Sequence, residues 1–146
     1  MIKTTKTIMV LLFLTLASNI YAANDDKPFA EQKLVLQISD ADPTKQTLVL
    51  NVASNAMKAY GADKIDIEIV AFGPGLRLMF ADNHNKQRIS GLVDNGVRFA
   101  ACGNTLKKVT KILGEEPEIN SQVKMVPGGI VRIIELVNQD YILVKP

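Results

Sequence analysis

The sequence predicts an α/β fold, a three-layer α/β/α sandwich on a five-stranded, mainly parallel sheet. Three observations carry that expectation. Short apolar runs alternate with longer segments whose apolar residues recur at helical spacing. Most junctions from an apolar run into a helix hold glycine or proline, which turn a chain sharply. The third is size: behind an export-like leader lies one domain's length of chain, with a single cysteine and so no disulfide framework. Strands separated by amphipathic helices run parallel and are covered on both faces.

The leader, residues 1–22, has the three parts of a secretory signal peptide. Lys3 and Lys6 make it basic, residues 8–17 (IMVLLFLTLA) are apolar apart from Thr15, and small residues close it at Ala22 and Ala23. Cleavage is expected after Ala22, with Ala23 as the second choice. An apolar run of about 10 residues falls short of the roughly 20 that span a bilayer, so no membrane anchor is expected. No cysteine lies near the cut, which excludes a lipoprotein anchor. The expected location is the periplasm. The full chain has 17 Lys+Arg and 15 Asp+Glu, and the leader takes two lysines and no acid. What remains is electrically balanced, so nucleic acid is not an expected partner.

Residues 23–33 (ANDDKPFAEQK) read as a flexible lead-in to a domain at 34–146. The first strand is 34–38. Asp42 as N-cap with Pro43 at the first helical position starts a helix over 43–60, which Gly61 ends. Its polar stripe is Asn51, Asn55 and Lys58, and the packing face is expected to hold Leu48, Val49, Val52, Ala53, Ala56 and Tyr60. The second strand is 64–72, where Ile65, Ile67 and Ile69 alternate with Asp66 and Glu68. That alternation predicts one wet face in the first half of the strand. Gly73-Pro74-Gly75 leads to a short apolar helix at 76–80, then comes a polar loop at 82–88 and a helical turn at 89–94. The third strand, 97–101, delivers Cys102. Asn104 is expected to cap the next helix, with Leu106, Val109, Ile112 and Leu113 inward and Lys107, Lys108 and Lys111 outward. An acidic connection over 114–121 precedes a short strand at 122–126. Pro127-Gly128-Gly129 opens the last helix, with Ile130, Val131, Ile133, Ile134 and Val137 inward and Arg132, Glu135 and Gln139 outward. The fifth strand is 141–144.

In an open α/β sheet, ligands bind beyond the carboxyl ends of the strands. The loops there bring forward Asp40, the Gly73-Pro74-Gly75 turn, Cys102 with Gly103, Asn104 and Thr105, and Gly128-Gly129 as pocket-lining candidates. An unpaired cysteine in an exported protein is a buried bystander, an intermolecular disulfide or a reactive group. A cysteine just before a helix N-terminus feels the positive end of the dipole and meets free amides, which favours thiolate. Cys102 is therefore the candidate catalytic residue. The bland reading is a small buried hydrophobe. His84 reads as a surface-loop histidine, and Asp40 and Asp42 as turn and cap residues that could also neighbour the thiol. No Cys/His spacing suits a metal, the glycine turns lack the phosphate-loop or dinucleotide spacing, and no cofactor is expected.

Three segments together resemble the DsrE/DsrF-like family. They are Gly73-Pro74-Gly75-Leu76, the run 96–106 (GVRFAACGNTL) and Val126-Pro127-Gly128-Gly129-Ile130-Val131, with 141–146 as a further match. The resemblance spans about 34–146. It implies a five-stranded parallel sheet, assembly into trimers or hexamers, and a cysteine that carries sulfane sulfur as a persulfide to the next protein of a relay. Cys102 matches the cysteine of the exported, stand-alone variant, with a sulfur donor or acceptor protein as partner. Export separates the chain from cytoplasmic relay partners, so transfer RNA thiolation is not carried over. The leading expectation is a periplasmic sulfane-sulfur carrier using Cys102. The alternatives are a non-catalytic oligomeric binding module and a thiol redox sensor.

Overall fold

A computed structural model describes Lys27 and residues 29–146. The expected signal peptide, residues 1–22, lies outside the described residues. Five strands alternate with helices: β1 (Gln32–Ile38), α1 (Pro43–Tyr60), β2 (Ile65–Ala71), a 3₁₀ helix (Gly73–Met79) and α2 (Lys86–Asp94). The second half continues with β3 (Arg98–Cys102), α3 (Gly103–Leu113), β4 (Lys124–Val126), α4 (Gly129–Val137) and β5 (Ile142–Val144). All four pairings are parallel, in the order β4-β3-β2-β1-β5. The expected α/β sandwich is what the chain forms, with β1 starting two residues before Leu34.

The sheet divides the core in two. On one side Leu36, Ile67, Ile69, Ala71, Phe99 and Ala101 meet α1, the 3₁₀ helix, α2 and Leu106 of α3. On the other, Val35, Val70, Ala100 and Val126 meet only Ile133 and Leu136 of α4, with Tyr141 and Phe72. Five elements of chain order thus put four helical segments on a broad face and one on the opposite face. No helix among the described residues is long and apolar enough to cross a membrane.

Local signals hold where they are local. Asp42 caps α1 by accepting from the Thr44 amide at 2.7 Å, and Pro43 follows it. Gly61 ends the helix at φ +93°, a positive φ that glycine adopts without steric cost. The packing stripe is rotated from the expected one, to Gln46, Val49, Leu50 and Ala53, the i, i+3, i+4, i+7 spacing of a single face. Leu48 and Tyr60 are exposed instead. Buried Gln46 accepts from the Asn83 side chain at 3.2 Å, which satisfies its carbonyl.

Three expectations fail for one reason: periodicity does not say which neighbour covers a face. Every residue of β2 is buried, so Asp66 (1 % exposed) and Glu68 (3 %) have no wet face. On α3 only Leu106 is buried, while Ile112 (71 %) and Leu113 stand exposed. Its last turn lines a cleft with the 3₁₀ helix. On α4, Ile130, Val131, Ile134 and Val137 are exposed, and Arg132, expected outward, turns back to the sheet. A helix apolar around most of its circumference carries no mark of which stripe faces the core.

Candidate functional site

Cys102 is the last residue of β3 and the N-cap residue of α3, in extended geometry. Asn104, expected as the cap, is the second residue inside the helix. The neighbouring edge strand sets Val126 beside Cys102 in register. From there the chain needs only Pro127 and Gly128 to begin α4 at Gly129. Two helices therefore start next to one sulfur. The link is direct, since the Asn104 amide donates to the Pro127 carbonyl at 3.2 Å. Gly129 allows α4 to come this close, because a Cβ there would sit 2.9 Å from the Phe72 Cβ.

The first amides of a helix have no partner within it. Here the Thr105 hydroxyl and the amides of Gly129 and Thr105 favour the charged form of the Cys102 thiol, with a lesser share from the Asn104 amide, which also donates to Pro127. None makes a helix-capping bond to the side chain. A neutral thiol is a weak acceptor, and these groups gain strength when the sulfur is charged. Burial pushes the Cys102 thiol up, and the Thr105 hydroxyl with the Gly129, Thr105 and Asn104 amides outweighs it. The thiol ends below its ordinary value. The residue is only 5 % exposed.

The candidates divide in space. Thr105 joins two of them: its hydroxyl serves the thiol and also accepts from the Gly73 amide at 3.0 Å. Gly128, the N-cap position of α4, lies against the Asn104 side chain. Gly103 packs on the Val126 carbonyl. Gly75 is used up in packing, since any Cβ there would lie 2.4 Å from the Ile38 carbonyl oxygen. Gly73 and Pro74 also edge an apolar cleft of about 190 Å³ with Leu76, Phe80, Val109, Ile112 and Leu113 behind them. Asp40 is paired to Lys45 at 2.6 Å and accepts from the Asp42 amide. That Lys45 bond holds its carboxyl below the usual carboxylate range. His84 lies by Asn85, in a separate cleft with Pro43 and Asn83. Among the described residues no group of His, Cys, Asp and Glu could hold a metal.

Residues that the sequence did not single out lie under α4. Arg98 of β3 reaches Asp66 at 2.5 Å and Glu68 at 3.1 Å on β2. Arg132 of α4 grips both Glu68 oxygens, at 2.7 Å each. Tyr141 donates its hydroxyl to Asp66 and accepts from Arg98 at 2.9 Å. Burial, then the bond to Asp66, pushes the Tyr141 phenol above its ordinary value. A readable signal did exist. Two acids on a strand of a sheet covered on both faces must find buried partners, and Arg98 and Arg132 sit in segments otherwise apolar.

Three comparisons bear on this arrangement. A family model described as the DsrE/DsrF-like family matches residues 32–146. Among solved structures, MTH1491 from Methanobacterium thermoautotrophicum, described as a protein of unknown function, is similar with a TM-score of 0.72. The two are 25 % identical, over 80 % of this chain and 100 % of that one. No curated protein matches the chain.

Proposed function

The chain belongs to the DsrE/DsrF-like family, and from that premise we propose that it is a periplasmic carrier of sulfane sulfur with Cys102 as the acceptor. The family points to a sulfur-relay type of function. The observation that supports the finer reading is the place of Cys102: it is the N-cap residue of α3, in register with Val126, two residues beyond which α4 begins, and the amides there favour its charged form. A thiolate there attacks the outer sulfur of a donor persulfide, R–S–SH. A new S–S bond forms at Cys102, the donor's S–S bond breaks, and R–S⁻ leaves with the electron pair. The product is Cys102–S–SH. No net oxidation occurs, and the same exchange in reverse hands the sulfur to an acceptor thiolate. Donors that favour the first thiolate also favour the terminal persulfide anion. The near-complete burial of Cys102 selects a small or protruding donor group and shields the persulfide from other thiols.

Intact mass spectrometry of protein from cells given a sulfane donor tests two parts at once. The expected species lacks residues 1–22 and carries the mass of one added sulfur, which Cys102→Ser abolishes. A wild type that stays unmodified with persulfide donors defeats the sulfur reading, and a retained leader defeats the export reading.

The carrier is proposed to assemble with copies of itself, as a trimer or hexamer. Its support is the apolar surface of α4 (Ile130, Val131, Ile134, Val137) continued by edge strand β5 (Ile142, Leu143, Val144), all exposed in the single chain. Apolar patches of this kind mark interfaces. Sedimentation should show an oligomer that Ile134→Asp converts to monomer. A wild type that sediments as a monomer at high concentration ends this part of the proposal.

A further inference from the structure

The helix that starts beside Cys102 has little apolar hold on the sheet. Of its nine residues, only Gly129, Ile133 and Leu136 are buried. Apolar contact is non-directional and permits a helix to slide or tilt. What is directional is the polar network beneath. Arg132 lies one turn into α4, and its own amide donates to the Gly128 carbonyl at 3.0 Å. Its guanidinium makes a two-pronged pair with Glu68, which is buried on β2 in the middle of the sheet. Such forks fix distance and angle together. The far end of the helix is tied to the same strand: the Tyr141 amide donates to the Leu136 carbonyl, and the Tyr141 hydroxyl to Asp66. Arg98 completes the group by bonding Asp66, Glu68 and Tyr141.

We propose that Arg132 and Glu68 are positioning residues for Cys102, clamping the first turn of α4 so that the helix start stays beside the sulfur. The inference rests on the reading of Cys102 as a working thiolate and adds what holds that thiolate in place. Neither residue reaches the reacting atoms. Their influence passes along the turn that joins Arg132 to Gly128 and Gly129, whose strand β4 is in register with Cys102. The exposed partner of Arg132, Glu135 at 3.5 Å, contributes nothing to this clamp.

The test is the pH dependence of alkylation of Cys102 by iodoacetamide, in the full mature chain, with folding followed by circular dichroism. Arg132→Gln leaves Glu68 paired with Arg98, so no acid is orphaned. Loss of one aligned amide should raise its alkylation midpoint by about half to one pH unit, a three- to tenfold loss of thiolate below the midpoint. Glu68→Gln should raise the midpoint as well. That second variant separates positioning from simple charge. If Arg132 acted through its charge, removing the negative Glu68 would lower the midpoint. Arg132→Lys, which keeps one bond, should fall between, and Glu135→Gln should match wild type. Midpoints of folded Arg132→Gln equal to wild type, or opposite shifts in the two variants, overturn the proposal. Raised midpoints in a protein that never takes up sulfur would uphold the clamp and discard the carrier reading. A wild type with no midpoint below the ordinary thiol value would overturn both.

Discussion

On the broad face of the sheet, Leu36, Ile67, Ile69 and Phe99 meet apolar side chains from α1, α2 and the 3₁₀ helix. On the opposite face the same strands place Asp66, Glu68 and Arg98 beneath a single helix that buries two large apolar side chains. The first arrangement is driven by area removed from water, which stabilises without specifying angles. The second has little area and many directional bonds. Paired charges of this kind add little net stability over an apolar substitute, but losing one partner is costly. The contrast teaches that stability and site geometry reside in different layers of one sheet. The layer that holds Gly129 at the sulfur is the one with less area to hold it, and it leaves most of α4 exposed.

The largest expected effect comes from damaging the broad face. Leu50 of α1 is fully buried there. Leu50→Ala should cost about 2–5 kcal/mol, by lost transfer energy and the cavity left behind. For a domain of this size that lowers Tm by roughly 10 °C or more. The alkylation midpoint of Cys102 should not move, because no bond to the thiol passes through α1. Thermal melts and alkylation profiles of the same preparation check both halves. A midpoint that moves along with Tm would dissolve the separation between the layers.

How much of this was legible depended on the sequence distance between partners. Asp42-Pro43 announced the start of α1 because cap and helix are adjacent. Cys102 was placed at the strand end because the alternation of strands and helices fixes topology, and topology fixes which loops share a rim. The companions of the thiol were half visible. Asn104 and Thr105 follow it in the chain, and Gly129 was named as a rim residue without the reason for its closeness, its contact with Phe72. Asp40 was drawn to the rim by topology, and its pair with Lys45, five residues on, was not read from the sequence. The Asp66 and Glu68 network was invisible because its partners are 30 to 75 residues away. One internal conflict could have exposed it: a parallel sheet covered on both faces leaves no room for a wet face on β2. The stripe of α4 was beyond reach. Its Ile, Val and Leu residues lie on several sides, and only Ile133 and Leu136 of them are buried.

The smallest effect is a slope, and it ties the two layers to the chemistry. The Cys102 thiol lies below its ordinary value of 9.0 in the folded chain, because the Thr105 hydroxyl and three amides outweigh burial. A group whose folded value is depressed adds stability fully present above its unfolded value and lost as pH falls through the folded one. The unfolding free energy of wild type minus that of Cys102→Ser should therefore rise with pH between the folded midpoint and about 9, by about 1.4 kcal/mol for each pH unit separating the folded midpoint from the unfolded one. Tyr141 does not intrude, since its raised phenol keeps its contribution below the ordinary tyrosine value and loses it only at higher pH. Urea unfolding at a series of pH values measures the difference. In the Leu50→Ala background the whole curve should drop with its slope intact. With Arg132→Gln the slope itself should flatten, because the donor it weakens is one that holds the charged sulfur. A flat difference in wild type would mean that the thiol gains nothing from the two helix starts beside it.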